Sequence, residues 1–157
     1  MTIALRTRVA RGTSTIALLI VAAACSSIST NITPVDDDEF AAFLEINLEE
    51  MNLSDSGLYW IDIQVGTGEE AVEGLTATVL FSGWLKNGFL FDTGPFTFFL
   101  DPETNVIPGF LEGTLGMKVL GVRKLVVPPH LAWGATGNGV IPPNATVVFE
   151  IELLSVE

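Results

Sequence analysis

The chain has 157 residues, 48% hydrophobic and 17% charged, which is enough for one compact domain with an extension but too few for a second full domain. Its formal net charge is -12, yet three of seven basic residues (Arg6, Arg8, Arg11) precede all nineteen acids, which begin at Asp36, so residues 25–157 carry 4 - 19 = -15. A surface that acidic repels phosphate backbones and anionic lipid and argues against nucleic-acid binding, while one Cys and one His exclude disulfide scaffolds and Cys/His zinc sites.

The opening stretch, MTIALRTRVARGTSTIALLIVAAACSS, joins a basic start to the apolar run IALLIVAAA and then to small residues ending at Cys25. Nine apolar residues fall short of the roughly twenty that span a hydrocarbon core, so residues 1–24 read as a secretory signal peptide rather than a membrane helix. The segment's end resembles a bacterial lipoprotein signal, in which the Cys becomes the acylated first residue of the mature chain. Ala22 stands where such signals usually carry Leu. An ordinary signal peptide with Cys25 as a passenger is the alternative. The resemblance implies several acyl chains on Cys25, a stable anchor where one chain is marginal. Ser26 in place of Asp implies the outer membrane, facing the periplasm.

Residues 25–38 are polar and acidic, with no period that could bury a face, and read as a flexible tether. Over 39–55 the apolar residues Phe40, Phe43, Leu44, Ile46, Leu48 and Met51 recur at roughly helical spacing, with Asp36 to Asp38 available as caps and Gly57 as a stop. The spacing predicts an amphipathic helix, packed on its own domain or, over 39–52, available for dimerisation.

Beyond it the period shortens to two. Residues 58–65 (LYWIDIQV) alternate as a strand; GTGEEA follows, but a β-branched run rather than a helix comes next, so no dinucleotide fingerprint is formed. Thr76 to Trp84 is a strand, Lys86-Asn87-Gly88 a hairpin turn, Phe89 to Asp92 the start of a returning strand, and FTFFL a further short strand beyond Pro95. VIPGFLEGTLGM supplies one short helix, with Pro108 in its first turn and Gly116 at its stop. Strands over 122–127 and 145–156 complete the set. The class is α+β: a twisted antiparallel β-sheet of about five strands covered on one face by one short α-helix, with the N-terminal helical extension added. His130, directly after Pro128-Pro129, reads as a loop histidine rather than part of a Ser-His-Asp triad.

Ten Phe and three Trp are a heavy load for so small a domain, and six of these rings (Phe81, Phe91, Phe96, Phe98, Phe110, Trp133) sit at strand ends, by turns or on the short helix. Core filling accounts for many of them. The order of the segments says more. GWLKNGFLFD, the VIPGF stretch, GMKV and the ending AWGATGNGVIPPNATVVF resemble the FKBP-type peptidyl-prolyl cis-trans isomerases, from about Ser56 to Glu157. The resemblance implies a twisted antiparallel sheet around one short helix, an isomerase domain over 56–157, no cofactor and no metal. It implies proline-containing polypeptides as substrates and macrolides as inhibitors.

Carried over position by position, the resemblance assigns catalysis to Asp92, Phe91, Trp133 and Phe81, and substrate binding to Phe96, Val106, Ile107, Phe110, Ile141 and Phe149. Phe110 would be the floor, the Ile107 N–H would receive a ligand carbonyl, and Asp92 would be the one charged lining group. The family usually has Tyr at the positions of Phe81 and Trp133, and DTGPF makes the loop after Asp92 shorter than in its best-known members. Those lost hydroxyls keep open an alternative: an FKBP-like peptide-binding or chaperone module with weak or no catalysis.

Overall fold

In the computed structural model, which describes residues 40–157, the β-branched and aromatic runs all form strands. They are β1 (Asn52–Leu53), β2 (Tyr59–Gln64), β3 (Thr76–Leu85), β4 (Leu90–Phe99), β5 (Val122–Val127) and β6 (Val147–Val156). All join one antiparallel sheet in the order β1-β2-β5-β6-β3-β4. One α-helix, α1 (Pro108–Thr114), covers one face between β4 and β5. The signal peptide at 1–24, Cys25 and the tether to residue 38 lie outside the described residues. Among those described, no helix is long and apolar enough to cross a membrane.

The sheet has six strands where about five are expected, because Asn52 and Leu53 pair with Trp60 and Tyr59 and extend its edge by a two-residue strand. A second difference concerns β4. The segments on either side of Pro95 form one continuous strand, paired with β3 from Phe99 opposite Thr76 to Leu90 opposite Trp84. Proline lacks the N–H that an interior strand would need; β4 is an edge strand, and there the missing donor is tolerated.

Alternation along β3 and β6 sets the core. Ala77, Val79, Val147, Phe149, Ile151 and Leu153 are buried on the helix side. Val126 and Val148 are buried on the opposite face. Helix α1 lies close against β5 because Gly109 and Gly113, one turn apart, face it: a Cβ at either position would collide with Val127 or Leu125. Pro108 fits the first turn, where its missing N–H has no helical partner anyway.

The end of α1 is held by Arg123, which is 7% exposed. Its Nη1 donates to the carbonyls of Gly113 (3.1 Å) and Leu115 (3.2 Å), while Nε and Nη2 donate to the two carboxylate oxygens of Asp62 at 2.7 and 3.3 Å. The guanidinium also stacks 4.2 Å over the Trp60 ring. One side chain thus ties β2, β5 and the helix C-terminus, satisfying carbonyls that a short helix leaves open.

The amphipathic helix expected over 39–55 is not formed. Residues 40–53 instead make two 3-10 turns, Ala42–Leu44 and Leu48–Glu50, followed by β1, and Glu45 between the turns takes a left-handed φ of 50°. Leu44 and Met51 are buried against Val126 and Val148, with Tyr59, Ile61 and Trp84 beside them, on the sheet face away from α1. The segment is also pinned by its backbone: the Ala41 N–H donates to the Lys86 carbonyl at 2.7 Å, and Lys124 Nζ donates to the Leu44 carbonyl at 2.8 Å. Tertiary packing on this sheet face overrides the helical spacing. Of the six apolar residues of that stretch, Phe40, Leu44, Ile46, Leu48 and Met51 pack in this cluster, and Phe43 is 63% exposed.

Replacing Arg123 with Met leaves Asp62 and two helix-end carbonyls without their donor. Urea unfolding of Arg123→Met is expected to show a loss of about 2 to 3 kcal/mol. Unchanged or higher stability would show that the guanidinium is not what holds the helix end.

Candidate active site

The concave side of the sheet, between β3, β4, α1 and the segment 128–146, is open. Phe81 on β3 points into it, and Gly83 two residues on is flanked by rings: a Cβ there would stand 2.7 Å from Phe91 and 2.8 Å from Phe149. Only a residue without a side chain lets both aromatics close over the strand.

β4 delivers its residues through a bulge. Gly83 pairs with Asp92 and Trp84 with Leu90, so Phe91 is an extra residue opposite β3. Such an insertion re-aims side chains, and both Phe91 and Asp92 face the hollow. Phe91 meets Phe149 and Trp133 edge-on, at centroid distances of 5.7 and 5.8 Å.

Phe110 stands in the middle, 4% exposed. Its ring has four aromatic neighbours: Phe149 at 5.1 Å, Phe81 and Phe98 at 5.5 Å, and Phe96 at 6.3 Å, with interplanar angles of 62 to 82°. Edge-to-face packing of this kind fixes ring orientation. The residues just before α1, Val106 and the N-cap Ile107, complete this side. The Ile107 carbonyl accepts from the Phe110 and Leu111 N–H groups, whereas the Ile107 N–H has no acceptor among the described residues.

The last wall comes from the proline-framed segment. After Pro128, residues Pro129–Leu131 make a 3-10 turn that leads to Trp133. Asn138 and Ile141 then exchange two backbone hydrogen bonds of 2.9 Å, closing a small loop. Gly137, at φ 69°, approaches the Ile141 and Pro142 backbone too closely to carry a side chain. Ile141 is thereby buried beside Phe149.

All ten residues expected from the sequence line this one hollow, of about 890 Å³. Asp92 is its only charged lining residue. Asp92 Oδ1 accepts the Thr93 N–H at 2.9 Å. His130 is elsewhere, its Nε2 bonded to the Ser56 carbonyl at 2.8 Å, as the loop reading expects. The sequence reading missed lining residues near in the chain to those it found: Thr93 to Pro95, Thr104, Asn105, Pro108, and Asn138 to Val140. Val140 is 61% exposed and sits on the rim, and its position directly before Ile141 was the available signal.

The family model for "FKBP-type peptidyl-prolyl cis-trans isomerase" matches residues 67–154. The chain belongs to the FKBP-type peptidyl-prolyl isomerases. A relative named FK506-binding protein, from Neisseria meningitidis serogroup B, is 48% identical over 106 residues, covering 64% of this chain and 96% of that protein. The FKBP-type isomerase FkpA of Escherichia coli is 41% identical over 109 residues, 66% of this chain but 39% of FkpA. Among solved structures, FkpA from Escherichia coli is similar with a TM-score of 0.64 at 38% identity, covering 74% of this chain and 55% of that one. AtFKBP13 is similar with a TM-score of 0.64 at 34% identity, covering 69% of this chain and 99% of that one. Against the FKBP pattern, Phe81 and Trp133 put rings without phenolic hydroxyls on the walls. The Trp133 indole N–H makes no hydrogen bond among the described residues, and the side chain lines the hollow.

A methyl at Gly83 would push Phe91 and Phe149 apart. In Gly83→Ala, kcat/KM for a proline tetrapeptide is expected to fall on the order of tenfold, with the far-ultraviolet circular dichroism retained. Full activity in that variant would show that the close ring packing is not required.

Proposed function

We propose that this protein accelerates cis-trans rotation of X-Pro bonds in exported polypeptides by stabilising the twisted amide, from a position held at the outer membrane by an acylated Cys25. The observation that carries the catalytic reading is the hollow itself: five Phe and a Trp around one carboxylate. Aromatic walls solvate a planar amide poorly. An X-Pro amide crosses between isomers only by losing resonance, against a barrier of about 18 to 20 kcal/mol. In the twisted state the nitrogen becomes pyramidal and the group less dipolar, so a water-poor cleft favours the transition state over the ground state.

A thousand- to million-fold acceleration needs about 4 to 8 kcal/mol of such discrimination. Burying the three ring methylenes of proline gains only about 2.4 kcal/mol. Clients would therefore bind weakly and leave quickly. The Ile107 N–H, without a protein acceptor, suits a client carbonyl, and the Trp133 indole offers a second donor. Phe110 would be the floor on which the proline ring rests.

The lost hydroxyls at Phe81 and Trp133 favour a second reading, a peptide-binding module with little catalysis. The full chain, assayed with a proline tetrapeptide, separates the two. The first reading expects clear acceleration, inhibited by a macrolide, and no large gain in Trp133→Tyr. No acceleration in the native chain, with a large gain in Trp133→Tyr, would favour the second.

The envelope location is supported by the basic start, the apolar run and the small residues before Cys25. Metabolic labelling with a fatty acid is expected to mark the wild-type chain and not Cys25→Ser. Unlabelled wild type would contradict the anchor.

A further inference from the structure

We propose that β4 is a self-pairing edge, which joins two copies of this chain about a two-fold axis at Thr97 into one continuous sheet. β4 is the last strand in the sheet order, and Pro95, Phe96, Thr97 and Phe99 on it are exposed. Which of its backbone groups face outward follows from the bonds at its end. The Leu100 N–H donates to the Leu75 carbonyl at 2.8 Å, while Thr76, opposite Phe99, exchanges bonds of 2.8 and 3.0 Å with Glu157 on the far side of β3. Residues of an antiparallel strand alternate in the side they bond to. Phe98 and Phe96 therefore bond to β3, and Phe99, Thr97, Pro95 and Thr93 turn away from it.

The outward row is not uniform. Pro95 has no N–H to give. The Phe99 carbonyl already accepts from the Asp101 N–H at 3.0 Å, and the Thr93 N–H is held by Asp92 at 2.9 Å. Around Thr97, the groups left open are the N–H of Thr97 and of Phe99, with no acceptor among the described residues, and the carbonyls of Pro95 and Thr97.

An ordinary extended peptide laid antiparallel on this edge leaves two of its own groups without partners. Its carbonyl opposite Pro95 finds no donor, and its N–H opposite Phe99 meets a carbonyl already engaged. Edge prolines block sheet extension in this way. A second copy turned about an axis at Thr97 avoids both defects. Thr97 then faces Thr97 of the second copy, and the two exchange N–H···O bonds. Phe99 faces Pro95 of the second copy: the Phe99 N–H gains an acceptor, its engaged carbonyl needs no donor, and the proline has none to offer.

The side chains follow the same register. Phe96, 38% exposed and stacked 5.4 Å from Phe98, comes to lie beside Phe98 of the second copy, in the closer type of antiparallel pair. On the opposite face Phe99, 49% exposed, meets Pro95 of the second copy. The axis stands perpendicular to the sheet, so both hollows open on the same side, each with its Phe96 wall against the other copy.

The test uses the full chain carrying Cys25→Ser, so that neither acylation nor a thiol links copies. Net charge opposes association, and about 0.3 M salt screens it. Sedimentation equilibrium is expected to show monomer and dimer with a Kd on the order of 100 μM, as suits a small interface. Amide hydrogen exchange locates the contact: between about 20 and about 500 μM protein, Thr97 and Phe99 are expected to gain about threefold protection, while Phe96 and Phe98 do not change. Thr97→Pro removes the central donor without touching the β3 ladder, and is expected to weaken Kd about tenfold or more. Thr97→Asp keeps the backbone, sets two carboxylates across the axis, and should do the same if the proline variant fails to fold. Leu53→Asp, on β1 at the opposite edge of the sheet, should leave Kd unchanged.

A chain that stays monomeric up to about 1 mM, ten times the expected Kd, would overturn the proposal. A dimer that persists in Thr97→Pro and Thr97→Asp would overturn it by placing the contact elsewhere, and an equal loss in Leu53→Asp would point to the general acidic field. Protection of Thr97 and Phe99 that is the same at every concentration would overturn it in favour of a strand supplied by the chain's own residues before Phe40. Protection that appears only on adding a pentapeptide of alternating Thr and Val would do so in favour of a client strand.

Discussion

The site depends on how closely α1 can lie against β5. Gly109 and Gly113 present a bare strip of helix to Val127 and Leu125, and that contact sets the height at which Phe110 enters the concave face. A helix held one methyl further out would move Phe110 away from the four rings it meets at 5.1 to 6.3 Å. Each such edge contact contributes about 0.5 to 1.5 kcal/mol beyond burial, so the floor is fixed by packing rather than by any one bond. Arg123 then holds the far end of the same helix through its carbonyls, which makes a seven-residue helix stiff enough to carry a binding surface.

From that constraint the walls follow. β3 supplies Phe81 and, at Gly83, the gap into which Phe91 and Phe149 fit. The bulge in β4 turns Phe91 and Asp92 inward together. Loop 128–146 closes the remaining side with Trp133 and Ile141. The result is a surface made for contact rather than for proton transfer: no imidazole, thiol or amine lines it among the described residues. Rate enhancement in such a place comes from what the walls do to an amide's solvation, a physical effect that requires only apolar rings held in register.

Most of this was legible in the residues. Period-two alternation located β2, and β-branched apolar runs bounded by turn residues located β3, β5 and β6. The ten lining residues were reached through the family resemblance that the ordered motifs carry, position by position. What was not legible depended on contacts distant in sequence. The spacing of Phe40, Leu44, Leu48 and Met51 is compatible with a helix, but those side chains pack on the sheet face of Val126 and Val148, and the backbone takes 3-10 turns to meet it. Pro95 suggested a break between two strands, and only the edge position of β4 makes it harmless. Rim residues such as Val140 have no pattern of their own; they belong to the site because their neighbours do.

The central claim is that an apolar surface, not an acid or a base, performs the catalysis. Its most direct test is the pH profile of kcat/KM for an uncharged proline tetrapeptide. The account predicts a flat line from about pH 5 to about pH 9, because differential binding of a twisted amide moves no proton. A bell or a step within that range would contradict it, since a titrating group would then have to take part in the rotation.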